Sequence, residues 1–165
     1  MDLTELSLRT GIDRRQLRYV LDHELVPRLH IKIVADNVGR PRHFADDVGF
    51  AIVVAARLVK LGLPHKTIQT FLSGLFELKI KASDNRPALL YVLQGSFPAF
   101  AEFGDGRVRL RIRSPLDEEI DTGWKIPGKR SPPVKDFSPK AVVWLDIGRI
   151  RDEVFPPAIE KAKRP

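Results

Sequence analysis

Between residues 12 and 26 the chain reads "IDRRQLRYVLDHELV", with Arg14 and Arg15 where an amphipathic helix would begin and Arg18 one turn later. A helix N-terminus carries unpaired backbone N–H groups and partial positive charge, so guanidinium groups gathered there make a site for anions. Arginine adds shape to charge, because its planar fork pairs bidentately with phosphate oxygens or with O6 and N7 of guanine in the major groove. The spacing predicts Arg14 and Arg15 against base edges or neighbouring phosphates, and Arg18 on a phosphate or a base one turn deeper. The alternative is a solvated helix face whose cations pair with Asp13 and Asp22.

Two further basic sets need the same weighing. In "GRPRHF", Arg40 and Arg42 flank Pro41, whose fixed φ stiffens a loop tip that could present both to phosphates or to a minor groove. A plain basic loop is the competing reading. In "RVRLRIR", Arg107, Arg109, Arg111 and Arg113 alternate with Val108, Leu110 and Ile112, so a strand here puts four cations on one face. That face is a second nucleic-acid surface, or a solvent-facing strand balanced by "DEEID" at 117–121, or an edge kept from aggregating by its charges. The latter two readings are preferred.

Other chemistry is poorly provided for. With no cysteine, disulfides, thiolate metal sites, iron–sulfur clusters and a cysteine nucleophile are excluded. His23, His30, His43 and His65 form no tight ligand pair, and "DEEID" lacks the glycine-loop spacing of a calcium site, so no metal is expected. No "GxSxG", "HExxH", P-loop or "GxGxxG" occurs in a sensible context, so no catalytic residue and no cofactor are assigned and an enzyme is not expected. Trp124, Trp144, Phe97, Phe100 and Phe103 read as core.

The charge balance agrees with an anionic partner. Against 21 Asp+Glu stand 28 Lys+Arg, a net charge of +7, which favours nucleic acid first and a membrane surface second. The most apolar run, "VGFAIVVAA" at 48–56, is far below the roughly 20 residues a membrane span needs. The opening "MDLTEL" has no apolar signal region, so the expectation is a soluble, cytoplasmic protein without a membrane partner.

These residues must be held by elements. "LTELSLRTG" predicts a two-turn helix with Leu3, Leu6 and Leu8 as apolar positions, stopped by Gly11. Asp13 caps a second helix, with Gln16 completing a variant capping box and Leu17, Val20 and Leu21 on its buried face. Two short helices around a glycine turn are a helix-turn-helix candidate. Leu29, Ile31 and Ile33 then alternate as in a strand, with "ADNVG" as turn, which predicts a small hairpin or wing. A strongly apolar helix follows from Asp46, begun by the Asp46–Asp47 pair and closed by Gly62; another begins near Pro64 with Ile68, Phe71, Leu72 and Leu75 on one stripe. "ALLYVLQ" fits a strand or a short helix; "FPAFAEF", the turn "GDG" and "RVRLRIR" predict a β-hairpin. A Pro/Gly/Lys-rich loop is expected at 123–140, then a buried strand "AVVWL" and a helix capped by Asp146 that buries Ile147, Ile150 and Val154.

The order "LTELSLRTGIDRRQLRYVLDHELVP" then "GRPRHFADDVGFAIVVAARLVKLGLPHKTIQTFL" resembles the DNA-binding domain of MerR-type regulators over about the first 75 residues. The marks are Thr10, Gly11, Leu17, Arg18, Tyr19, Leu25, Pro27, Gly39, Arg40, Arg42, Phe44, Asp47, Val48, Leu61 and Gly62. The resemblance implies a winged helix-turn-helix that binds double-stranded DNA as a homodimer. It places Arg14, Arg15 and Arg18 on the recognition helix, Tyr19 near the backbone, and Arg40 and Arg42 on the wing. The chain departs from the family at Val20, where a second aromatic is usual, and in the long dimerising helix, which Pro87 and Gly95 interrupt.

The expectation is an α+β protein: a winged helix-turn-helix at 1–80 and, at 81–165, a small mixed α/β domain for dimerisation or for an effector or protein partner. The expected function is sequence-specific DNA-binding transcriptional regulation. The alternative is an architectural or DNA-packaging or excision adaptor that uses the same motif.

Overall fold

The computed structural model describes residues 1–27, 43–77, 99–104, 107–113, 119–125 and 143–156, with Leu89, Val92 and Leu93. Among these the chain is α+β: helices α1 (Leu3–Thr10), α2 (Arg14–Asp22), α3 (Asp46–Lys60), α4 (His65–Glu77) and α5 (Ile147–Val154), and strands β1 (Ala99–Gly104), β2 (Arg107–Arg113), β3 (Glu119–Lys125) and β4 (Val143–Asp146). The expected wing lies outside the described residues, as does most of "ALLYVLQ".

Local chemistry accounts for the helix ends. The Asp2 carboxylate accepts from the backbone N–H of Thr4 at 2.7 Å and of Glu5 at 2.9 Å, satisfying two orphan donors at the start of α1. The chain must reverse sharply between α1 and α2, and it does so at Gly11, φ +67°, whose N–H donates to Ser7 O at 2.9 Å. A side chain there would be strained even though it would meet no atom within 4 Å. Asp13 Oδ1 then accepts from Arg15 N at 2.6 Å and opens α2. Gly62, φ +77°, follows α3, and Asp146 Oδ1 accepts from Arg149 N at 2.8 Å to begin α5, as the sequence predicts.

Helix α3 is the centre of the helical layer, with every residue from Val48 to Ala56, and Leu58, buried. Leu6 of α1 and Leu17 and Val20 of α2 belong to the same core, joined by Ile68, Phe71, Leu72 and Leu75 of α4. Of the apolar positions expected on these helices, Leu3 and Leu21 are partly buried against this core and Leu8 is 82% exposed. The N-terminus is tied down as well. Met1 and Phe44 exchange backbone hydrogen bonds, and Gly49 lets the Met1 side chain lie so close to α3 that an added Cβ would sit 2.6 Å from its sulfur.

The four strands form an antiparallel sheet in the order β3-β2-β1-β4. The hairpin expected from "GDG" is present, with Phe103 opposite Val108 and Glu102 opposite Arg109. Ala99, Ala101, Phe103, Val108, Leu110 and Leu145 are buried, and the Phe103 ring meets Phe71 of α4 edge-on at 5.1 Å between centroids. Two expectations are corrected. Gly123, Trp124 and Lys125 belong to β3 rather than to the loop at 123–140, because "EIDTGWK" pairs along the whole of β2. And β4 is only half-buried: Leu145 stands opposite the buried Ala101, whereas Trp144, opposite Glu102, takes the other face and is 56% exposed.

Helix α5 follows β4 without a loop and packs on α1 and α3. Arg9 of α1 donates to the carbonyl of Val154 at 2.7 Å, and Arg57 of α3 reaches both Glu153 at 2.8 Å and the carbonyl of Thr10 at 3.3 Å. One apolar core thus runs from Leu6 to Val154, across the boundary expected at residue 80.

Candidate nucleic-acid interface

The second helix is built to show its charge. Leu17 and Val20 are fully buried and Leu21 partly so, which fixes the rotation of α2 and turns Arg14, Arg15, Arg18 and Tyr19 outward. Among the described residues none of these three arginines makes an ion pair. Asp13 and Asp22, the counter-ions that a solvated face would use, pair with none of them, and Asp13 Oδ1 accepts the capping bond from Arg15 N. The guanidinium groups project from one capped helix, with no acid among the described residues holding them.

Tyr19 is more constrained than its neighbours. Its hydroxyl lies 3.0 Å from His65 Nε2 at the start of α4, and its ring stacks on His23 with centroids 3.8 Å apart. His23 in turn places Nδ1 3.0 Å from Tyr19 O, and the two imidazoles meet edge-on at 5.3 Å. A phenol at 37% exposure is thereby held in one orientation next to the arginine row, with Lys66 following His65 on α4. His23, four residues after Tyr19, is readable as a same-face neighbour on a helix. His65 is not, because it arrives through the packing of α4; Gln69 of α4 likewise donates to Glu24 O at 3.2 Å.

Beside this row α2 and α3 leave an open cavity of about 300 Å³, lined among the described residues by Arg15, Gln16, Tyr19, Ala56, Val59 and Lys60. Arg40 and Arg42, expected on a wing, lie outside the described residues.

The second arginine row is different. Opposite Arg109 in the register stands Glu102, only 5% exposed, whose carboxylate lies 3.8 Å from Arg109 Nη1 and 3.4 Å from Arg111 Nε. Arg107 is 4% exposed. The strand is therefore not the solvent-facing one expected. Arg109 and Arg111 turn onto a buried glutamate, Glu102, which the hairpin turn at "GDG" already places across from Arg109. Of the segment 117–121, Asp121 and Glu119 stand at register positions opposite Arg111 and Arg113.

Among the described residues no cluster of three or more His, Asp or Glu side chains could hold a metal ion, and no helix is long and apolar enough to cross a membrane. No family model, no curated protein and no solved structure matches the chain.

Proposed function

We propose that this protein is a sequence-specific regulator that binds double-stranded DNA, with α2 entering the major groove and the basic segment around Arg40 and Arg42 on the backbone or in the minor groove. The observation that carries the reading is the arginine row of α2: fixed by a buried apolar face, capped by Asp13, and unpaired among the described residues. Holding several like charges together in water is unfavourable unless an anion neutralises them, and a phosphate backbone does so with release of counter-ions. Arg14 and Arg15 at the helix start are the groups for guanine edges or adjacent phosphates; Arg18 and Tyr19, one turn on, follow the strand.

A homodimer accompanies this reading, since one helix reads only a half-site and two-fold sites are matched by two-fold proteins. The test is a titration of fluorescent duplex from the DNA upstream of the gene against a scrambled duplex, at several salt concentrations. Regulation requires tight, selective binding of the first. Equal, weak binding of both, vanishing steeply with salt, would leave only a basic surface and move the reading to an architectural adaptor.

A further inference from the structure

The cavity between α2 and α3 has a composition that duplex binding does not account for. Its apolar lining includes Ala56 and Val59, about one turn apart on α3. Gln16 and Tyr19, about one turn apart on α2, line it as well, together with the cations Arg15 and Lys60, and no acid is among the described lining residues. At about 300 Å³ it is at the small end of the range that takes organic ligands. A ligand that satisfies both parts has a flat apolar body to cover Ala56 and Val59 and an anionic head for Arg15 and Lys60.

We propose that this groove is a binding site for a small aromatic or aliphatic anion, a carboxylate or sulfonate, and that its occupant competes with DNA. The competition rests on the reading of α2 as the recognition helix; the binding itself does not. Arg15 and Tyr19 belong to both surfaces, so a guanidinium drawn over the groove by a bound anion is withdrawn from a base or phosphate. An effector would then act by direct exclusion, without a conformational relay from the sheet.

The probe is 8-anilinonaphthalene-1-sulfonate, followed by calorimetric titration of the full chain. One molecule should bind per chain at micromolar concentration. Gln16→Trp places an indole in the groove from an exposed position and should weaken binding at least about tenfold, while Lys60→Glu should weaken it about fivefold, the effect of one surface charge pair. Circular dichroism of both variants should match that of the parent. In the second arm, the probe should raise the apparent Kd of the upstream duplex linearly with its own free concentration and without a plateau. Unchanged probe binding in Gln16→Trp overturns the site, as does loss in Trp144→Ala instead, which would put the probe on the exposed sheet edge. Simultaneous binding of probe and duplex overturns the competition. Probe binding that responds to both groove variants in a protein that binds no duplex upholds the site and sinks the DNA reading instead.

Discussion

Two rows of arginines with nearly the same sequence density have opposite fates in this molecule. On α2, Arg14, Arg15 and Arg18 stand in solvent with no acid among the described residues paired to them. On β2, Arg107 is buried, and Arg109 and Arg111 share the carboxylate of Glu102. Net charge cannot separate the two, and neither can periodicity. The deciding variable is where the nearest carboxylate is held. Asp13 and Asp22 form no ion pair with the helix row among the described residues and leave it open, whereas Glu102 is placed by strand register beside Arg109 and Arg111. The first row is therefore suited to an external anion and the second to holding the sheet together.

The largest expected effect breaks the sheet row. Glu102→Gln removes the buried counter-ion of two arginines that cannot turn fully to water, which should destabilise the fold by about 3–5 kcal/mol in urea unfolding. At temperatures where the variant is still folded, its duplex affinity should equal that of the parent. A variant as stable as the parent would show that the row is held by groups other than Glu102.

The reciprocal experiment strikes the helix row. Arg15→Ala or Arg18→Ala should leave the unfolding midpoint within experimental error and weaken specific duplex binding about tenfold or more, the roughly 1–3 kcal/mol of a bidentate contact. Where the lost contact is to phosphate, the salt slope should also fall by about one. Wild-type affinity in both variants would remove α2 from the interface.

Smaller effects sharpen the contrast at the joints of the helix row. Asp13→Ala deletes the cap that starts α2 and should cost about 1 kcal/mol of stability by thermal unfolding. Tyr19→Phe removes the hydroxyl at His65 while keeping the ring on His23. It should leave stability nearly unchanged and lower duplex affinity only a few-fold, the net worth of one hydrogen bond of about 1 kcal/mol. An affinity loss as large as that of Arg18→Ala would make the phenol a principal contact rather than a positioned neighbour.

Much of this layout is legible in the residues, and the exceptions share a cause. The glycine turn at Gly11, the caps Asp13 and Asp146, the buried stripe of α4 and the β1–β2 hairpin all depend on neighbours within a few positions, which a period or a cap residue encodes. Glu102 was within reach too, because the "GDG" turn that sets the hairpin also sets its partner. Trp144 was not: an apolar five-residue run looks buried on both faces until its register with β1 shows that only the face of Leu145 meets the core. The approach of His65 to Tyr19, and of Arg9 and Arg57 to the end of α5, joins residues 46 to 145 positions apart, and no local pattern specifies such contacts.

The smallest expected effect concerns acid, and it belongs to the helical layer. The N–H of Glu5, with that of Thr4, holds the Asp2 carboxyl below its ordinary value, while burial opposes the shift and His43 and the terminal amine assist it. A carboxyl whose folded pKa is depressed contributes stability that is fully present above its unfolded value, about 3.9, and is lost as pH falls through the lower folded value. Asp2→Asn keeps a capping oxygen but no longer titrates. Its stability relative to the parent should therefore be slightly lower at neutral pH, and the gap should close on acidification below pH about 4. Because Asp2 caps α1 and touches neither arginine row, duplex affinity measured at neutral pH should be the same in both proteins. A gap that widens in acid would mean that the α1 cap is held by something other than the charge on Asp2.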